Sequence, residues 1–333
     1  MKTDNKRIAI VRLSALGDIV NSAVVLQFIK QNYPNATIDW VTEEVFAPLL
    51  EHHPLISNVY TVNIKNLKKT KSLSDFAVTL STLHNLGYYD YIIDMQGLIK
   101  SAIVARLIGK NTYGFDKNST RESLAAFFYK STSHIAYKEN VVKRNCFVVS
   151  DALHFTITDE MLLTKESVFP KINDIHLKNE KKNIALIIGA SWESKKYPKK
   201  SIVTLCNTLK ENCYIIWGNE KEKEDAAWIC EHSEYAKLTP KMQLFELVSF
   251  ISNMDLVIGN DTGPTHLAWA QNIPSITLLG PTTTRMIYET AQNIGIKSPS
   301  HVDINKIDKN DFSIKEIATD TILKKAKELL NGF

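Results

Sequence analysis

Five mostly apolar residues, Met254-Asp255-Leu256-Val257-Ile258, run directly into Gly259-Asn260-Asp261-Thr262-Gly263-Pro264-Thr265-His266 and then into the helix-like Leu267-Ala268-Trp269-Ala270. A strand, a tight turn of small and hydroxyl residues and a helix, packed this closely, make a βα unit. Such units build parallel sheets. The start of the helix offers unpaired N–H groups and the positive end of its dipole, where α/β proteins bind phosphate. Gly263 lets the backbone approach a ligand. An ordinary connection, with Asp261 or Thr262 capping the helix, is the competing reading.

The same alternation runs through the chain. Ile8–Val11 reads as a buried strand, followed by a Gly-containing turn, Arg12–Val20, and a helical stretch to about Gln31. Strand Ala36–Val41, helix Val45–Glu51 and strand Val59–Val62 follow, then helix Leu73–Leu86 and strand Tyr91–Asp94. The run Lys165–Lys182 breaks the pattern with Pro170, few aliphatics and many charges, and reads as a linker. Strands then resume at Ile184–Ile188, Tyr214–Gly218, Asp255–Ile258 and Ser275–Pro281. The expectation is two Rossmann-like domains, 1–165 and 184–333, joined by a linker over 166–183. Ligands would bind beyond the carboxyl ends of the strands, in a cleft between the domains. The last helical segment, Ile314–Leu330, has no assigned place, and packing back on the N-terminal domain is one option.

A length of 333 residues suits two domains, and 44% hydrophobic with 23% charged residues suits globular cores. A net charge of +4 gives no support to a nucleic-acid partner, and none is expected. The charge is unevenly spread: Lys65 to Arg144 holds thirteen basic and six acidic residues. That region favours anions, as a phosphorylated substrate or a membrane surface. Cys146, Cys206, Cys213 and Cys230 form no CxxC pair and read as reduced packing residues of a cytosolic protein. The apolar run after the charged N-terminus is too short for a signal peptide, and no window is long enough for a transmembrane helix.

Four loops of the second half follow strands: Gly189–Lys196, Gly218–Glu222, Asp261–His266 and Gly280–Thr283. In one parallel sheet they converge at one edge, where hydroxyls, a lysine, a histidine and acids suit a sugar nucleotide. In the first half, Asp18 follows Gly17 after the first strand. It is either a helix cap or a carboxylate able to take a proton from a substrate hydroxyl. Asp94-Met95-Gln96-Gly97-Leu98-Ile99-Lys100-Ser101 is the other dense stretch. There Asp94 and Gln96 could hold hydroxyls, and Lys100 with Arg121 an anion, against a solvated helix face as the alternative. The chain has no GxGxxG after its first strand, no GxxxxGK[ST] and no Asp-x-Asp. These absences weigh against a nicotinamide dehydrogenase, a P-loop NTPase and a metal-dependent glycosyltransferase.

At these positions the chain resembles the lipopolysaccharide heptosyltransferases, glycosyltransferase family 9. Asp261–His266 is similar to their D-T-G-x-x-H signature, and Ser14 with Leu16-Gly17-Asp18 resembles their N-terminal S-x-x-G-D motif. Ile93–Ala102, Arg121–Ala125, Leu238–Met242 and Gly280–Thr282 resemble the members that add the first core heptose. The similarity spans nearly the whole chain. It implies a GT-B fold, two Rossmann-like domains with parallel sheets facing across a cleft. It implies inverting transfer of L-glycero-D-manno-heptose from ADP-heptose to a Kdo residue of Kdo-lipid A, with no metal and no cofactor.

By resemblance, Asp18 matches the catalytic base. Ser191, Lys195, Glu222, Met242, Asp261, Thr262, Gly263 and His266 match donor positions, Glu222 and Met242 those beside the nucleoside. Ser14, Gly17, Lys65, Lys68, Lys69, Asp94, Gln96, Lys100 and Arg121 fall on the acceptor side. Ser191 stands where threonine is common, Ala190 lacks a neighbouring hydroxyl, and lysines at 65–69 replace common arginines. The implied protein is a cytoplasmic monomer in peripheral contact with the inner membrane. The alternatives are a heptosyltransferase II-type enzyme that extends from heptose, a sugar-nucleotide epimerase, and a non-catalytic nucleotide-sugar binding protein.

Overall fold

The computed structural model describes residues 5–63, 81–171, 177, 180–303 and 307–332. The chain divides into two compact units, Met1–Val168 and Phe169–Phe333.

The first unit is built on a six-stranded parallel sheet in the order β3-β2-β1-β4-β5-β6. Its strands are β1 (Arg7–Val11), β2 (Thr37–Glu43), β3 (Asn58–Val62), β4 (Tyr91–Asp94), β5 (Thr112–Phe115) and β6 (Ser131–Ser133). Ile8, Ala9, Ile10 and Val11 are all fully buried, as expected for a central strand covered on both faces. The expected single helix up to Gln31 is two, α1 (Leu16–Ala23) and α2 (Val25–Asn32), separated at Val24. Helices α3 (Ile99–Ile108) and α4 (Val141–Leu153) follow β4 and β6. The expected helix Leu73–Leu86 falls partly outside the described residues, of which 81–84 are helical.

The second unit repeats the plan, with strand order β12-β11-β10-β7-β8-β9. Its strands are β7 (Asn183–Ile187), β8 (Asn212–Ile216), β9 (Ala236–Leu238), β10 (Leu256–Asn260), β11 (Ser275–Leu279) and β12 (Asn293–Lys297). The helices are α5 (Lys199–Leu209), α6 (Glu220–Glu231), α7 (Leu244–Ile251), α8 (Gly263–Ala270) and α9 (Thr319–Leu330). The final helix, α9, belongs to this unit. Its buried Ile322, Leu323, Ala326 and Leu329 join Leu205 and Cys206 of α5 in the second core. All four cysteines are free thiols, three of them buried. Among the described residues no helix is long and apolar enough to cross a membrane.

In each sheet the chain winds outward through three strands, returns to the centre, and winds the other way. The reversal falls between β1 and β4 in the first unit and between β7 and β10 in the second. At such a point the flanking connections diverge and leave a crevice beyond the strand ends.

The span expected as linker is partly built into the two units. Val168 and Phe169 are buried. His53 Nε2–H donates to the Val168 carbonyl at 2.7 Å, and its Nδ1 accepts from Leu55 N–H at 3.2 Å. The Gln271 amide clamps Phe169, accepting from its N–H and donating to its carbonyl, both at 2.9 Å. Residues 172–176 and 178–179 of that span lie outside the described residues.

Burial pulls His53 down from 6.5 to about 4. The unfolded chain therefore takes up a proton below pH 6.5 that the folded chain refuses until about pH 4. Stability is intact above that window and falls as pH drops through it, by at most about 3 kcal/mol from this group. Urea unfolding at about pH 7 and about pH 4.5 should show the loss. The His53→Gln variant should show a shallower pH slope, and an identical slope would remove His53 as its source.

Candidate functional site

In the second unit, β7 ends against Gly189–Trp192 and the 3-10 turn Glu193–Lys195, while β10 ends against Asp261 and the start of α8. The two loops are held together by Asn260. Its amide donates to the carbonyls of Ile188 at 3.0 Å and Gly189 at 3.2 Å, and its Oδ1 accepts from Tyr197 N–H at 3.0 Å. The Lys195 ammonium then reaches Asp261 Oδ2 at 2.9 Å, and His266 Nε2 lies 3.1 Å from Oδ1. All three side chains are buried. Burial alone would push the Asp261 carboxyl up, but His266 and Lys195 outweigh it and hold it well below the usual carboxylate range. Lys196, the next residue, turns instead to Glu193 at 3.1 Å.

Thr262 caps α8 with its backbone while its hydroxyl makes no capping bond. Pro264 lies in the first turn of α8, where a missing N–H costs nothing. Among the described residues three buried hydroxyl oxygens have no hydrogen-bond partner, those of Ser194, Thr262 and Thr282. They sit on the loops after β7, β10 and β11, three adjacent strands. A buried donor left unpaired costs about 1–3 kcal/mol, and three at one sheet edge could each take a hydrogen bond from a bound ligand or give one to it.

Glu222 opens α6 behind the cap Asn219, and its Oε2 accepts from Gly218 N–H at 2.8 Å. Its carboxylate lies against Gly189, where an added Cβ would come within 2.5 Å of Oε2. Met242 is half-buried on the loop after β9. That loop is tied down by Trp217, whose Nε1–H donates to the Thr239 carbonyl at 2.9 Å. Ser191 is exposed.

The first unit places its own groups at the β1–β4 reversal. Asp18 sits in the first turn of α1 and accepts from Ala15 N–H at 3.3 Å through Oδ2. Arg12, directly after β1, brings Nη2 to Asp18 Oδ1 at 2.8 Å and donates from Nη1 to the Met95 carbonyl. The Asp18 side chain remains 26% exposed while Arg12 is buried, so the carboxylate is both oriented and accessible. Lys100 spans Ser14 Oγ and Glu43 Oε1, each at 3.2 Å. Gln96 Oε1 accepts from Leu13 N–H at 2.9 Å.

Asp94, expected as a hydroxyl-binding acid, has both carboxylate oxygens engaged within the fold. It is fully buried. Oδ1 accepts from Gln96 N–H and Gly97 N–H, and Oδ2 from the Tyr129 hydroxyl at 2.7 Å. Burial pushes its carboxyl above the usual range against those bonds. Its work is to shape the turn that carries Gln96. Arg121 is exposed on the loop after β5, with no partner among the described residues, and Lys65, Lys68 and Lys69 lie outside them.

Arg12, Asn260, Ser194 and Thr282 carry no signal of their own in the sequence. Each lay inside a stretch already singled out, but only the fold shows that Arg12 faces Asp18 or that Thr282 is buried unpaired. Among the described residues no group of three or more His, Cys, Asp or Glu side chains is placed to hold a metal ion.

Comparison with known proteins gives a consistent set of relatives. Residues 81–311 match the profile of glycosyltransferase family 9 (heptosyltransferase). The chain is 41% identical to a lipopolysaccharide heptosyltransferase 1 of Campylobacter coli, over 97% of this chain and 98% of that one. It is 25% identical to the structure of E. coli heptosyltransferase WaaC with ADP, covering 97% of this chain and 99% of that one at a TM-score of 0.80. The structure of E. coli ADP-heptose lps heptosyltransferase II superposes at a TM-score of 0.69 with 18% identity over 98% of each chain, a likeness of fold.

The Asn260→Ala variant should lose about 2–3 kcal/mol of stability, because it frees the carbonyls of Ile188 and Gly189 and the Tyr197 N–H. The Thr282→Val variant should lose none and gain up to about 1 kcal/mol, because that hydroxyl is unpaired. Urea denaturation of both proteins checks the contrast. A destabilised Thr282→Val protein would mean that the hydroxyl already has a partner.

Proposed function

The chain belongs to glycosyltransferase family 9, the heptosyltransferases, and on that premise we propose that it moves heptose from ADP-heptose onto a Kdo residue of Kdo-lipid A. It is a glycosyltransferase with the GT-B fold. The observation that carries the finer reading is the buried Lys195–Asp261–His266 group beside three unpaired hydroxyls, at the strand reversal of the second unit. A fixed cation, a helix N-terminus and spare hydroxyl donors suit a diphosphate. That ADP accompanies the E. coli relative supports the same ligand here.

In this reading the second unit binds the donor. Lys195 has three N–H donors and spends one on Asp261, which leaves two for phosphate oxygens. Gly263, at the N-terminus of α8, lets the backbone come close. Glu222 has one carboxylate oxygen on Gly218 and the other available for ribose hydroxyls, and Met242 packs on the base. Ser191 extends the phosphate contact. The first unit binds the acceptor through Ser14, Gln96, Lys100 and Arg121, with Lys65, Lys68 and Lys69 adding positive charge. Gly17 leaves room beside the base. The enzyme works at the cytoplasmic face of the inner membrane, where its lipid-borne acceptor is presented.

The reaction is a single displacement. The acceptor hydroxyl oxygen attacks the anomeric carbon from the face opposite the diphosphate. The new C–O bond forms as the bond to the ADP oxygen breaks, and the configuration inverts. Asp18 takes the hydroxyl proton, and Arg12 holds it in the orientation to do so. The transition state carries oxocarbenium character, as in glycoside hydrolysis. Negative charge grows on ADP, where Lys195 and the N–H groups around Thr262 and Gly263 are already aimed. No metal takes part in this scheme.

The test is ADP release from ADP-heptose in EDTA, with and without Kdo-lipid A. Release that depends on the acceptor supports the reading. Sugar-nucleotide turnover without acceptor would replace it with an epimerase, and ADP binding without release would make another acceptor or donor the substrate. The Asp18→Asn variant should lose about 10²–10⁴-fold in turnover while ADP affinity stays unchanged. Retained turnover would take Asp18 out of the base role. The Thr282→Val variant should bind ADP or ADP-heptose about fivefold more weakly, by calorimetry, despite its unimpaired stability.

A further inference from the structure

We propose that the 3-10 segment Ser123–Phe128, together with the face of α3 beside it, is the surface by which the first unit docks on an anionic lipid bilayer. The inference rests on the acceptor being carried by a lipid, and it names the residues that meet that lipid's membrane.

In a 3-10 helix, side chains three apart eclipse one another. Leu124 and Phe127 are so spaced, and they stand 58% and 82% exposed. The segment packs along α3, whose Ile103 is 40% exposed. Single exposed apolar residues are ordinary on a protein surface. Three on two packed elements, with a phenylalanine almost wholly in solvent, form a patch.

The patch is bordered by cations. Arg121 and Lys130 flank the segment in sequence, one on each side, and Arg106 lies one turn beyond Ile103 on α3. All three are exposed. The partners that the structure gives Arg106 and Lys130 are neutral oxygens, the Gly109 carbonyl and Asn111 Oδ1, so their charge is left for an outside partner. The acid in this stretch, Glu122, spends Oε2 on the Ile99 N–H at the start of α3. An apolar wedge between positive charges fits a surface of acyl chains beneath anionic headgroups. The cations find the membrane and the wedge enters its interface.

The test is co-sedimentation of the full-length protein with phosphatidylglycerol vesicles and with phosphatidylcholine vesicles, across a salt series. The wild type should partition to the anionic vesicles and come off as salt rises. The Leu124→Ser/Phe127→Ser variant should bind about tenfold more weakly. The Arg106→Glu variant, a check independent of the apolar pair, should lose binding mainly at low salt. Neither should alter ADP release with a delipidated, soluble Kdo acceptor, so transfer activity is scored apart from docking. If the wild type binds and the double variant binds equally, this surface is wrong while membrane contact stands. If the wild type binds neither vesicle yet transfers heptose to the soluble acceptor, the docking proposal fails and the enzymatic reading survives. If the double variant keeps vesicle binding but dissociates a dimer on size-exclusion chromatography, the patch joins two copies of this chain instead.

Discussion

Parallel strands cannot be joined by a tight turn, so every return in these two sheets needs a crossover that carries the chain back over a face. A sheet grown first in one direction and then in the other must somewhere seat two strands side by side whose crossovers leave in opposite directions. Both halves of this protein place that seam at the centre of the sheet, β1 with β4 and β7 with β10. The loops that leave those strands cannot cover one another, and the residues they carry stay open beyond the sheet. The catalytic and binding residues inferred above are concentrated on those loops. Arg12, Ser14, Asp18 and Gln96 come from the first seam, and Ser194, Lys195, Asp261 and Thr262 from the second.

At the seams the two units use charge differently. The Lys195–Asp261–His266 group is nearly dry, and a dry charge persists only with partners that meet most of its hydrogen-bonding needs. Asp261 has two such partners and cannot leave them, which makes it a poor proton carrier and a firm support for Lys195. Asn260 holds both loops in register, so the lysine is placed before any ligand arrives. The unpaired hydroxyls of Ser194, Thr262 and Thr282 supply the other half of the arrangement. A site with its charges already satisfied and its hydroxyls unsatisfied gains most from an oxygen-rich anion.

Much of the fold was legible because the central strands are continuous aliphatic runs. Tyr91–Asp94 was bounded correctly from composition alone, and the strands at Ile8, Ile184 and Ser275 within two residues at each end. The four strands missed, Thr112–Phe115, Ser131–Ser133, Ala236–Leu238 and Asn293–Lys297, lie toward the sheet edges. A strand such as Ser-Thr-Ser has no apolar pattern to read, and pairing alone makes it a strand. The site was legible where a turn of unusual composition followed a strand, as at Asp261. It was not legible where a role depends on burial. No local pattern says that Arg12 will reach Asp18 across a turn, or that the Thr282 hydroxyl will be enclosed without a partner.

Three aspartates illustrate what sequence position alone leaves open. Asp18, Asp94 and Asp261 each lie at or shortly after the end of a parallel strand, and each stands beside a glycine-containing turn. Asp94 is enclosed among a tyrosine hydroxyl and backbone N–H groups, and burial outweighs them, so its carboxyl is pushed up. Asp261 is enclosed too, but with two basic side chains, and its carboxyl is pushed down. Asp18 alone keeps part of its surface in solvent, with one oxygen on a buried arginine and the other near the Ala15 N–H. A general base must hold its orientation, yet give its lone pair to a proton that arrives from outside. Of the three, only Asp18 meets both conditions, and it does so because Arg12 is the buried member of the pair and the carboxylate the open one. Were the burial reversed, with the carboxylate enclosed and the guanidinium in solvent, the same ion pair would be a support like Asp261 and the first unit would lack the base proposed for it.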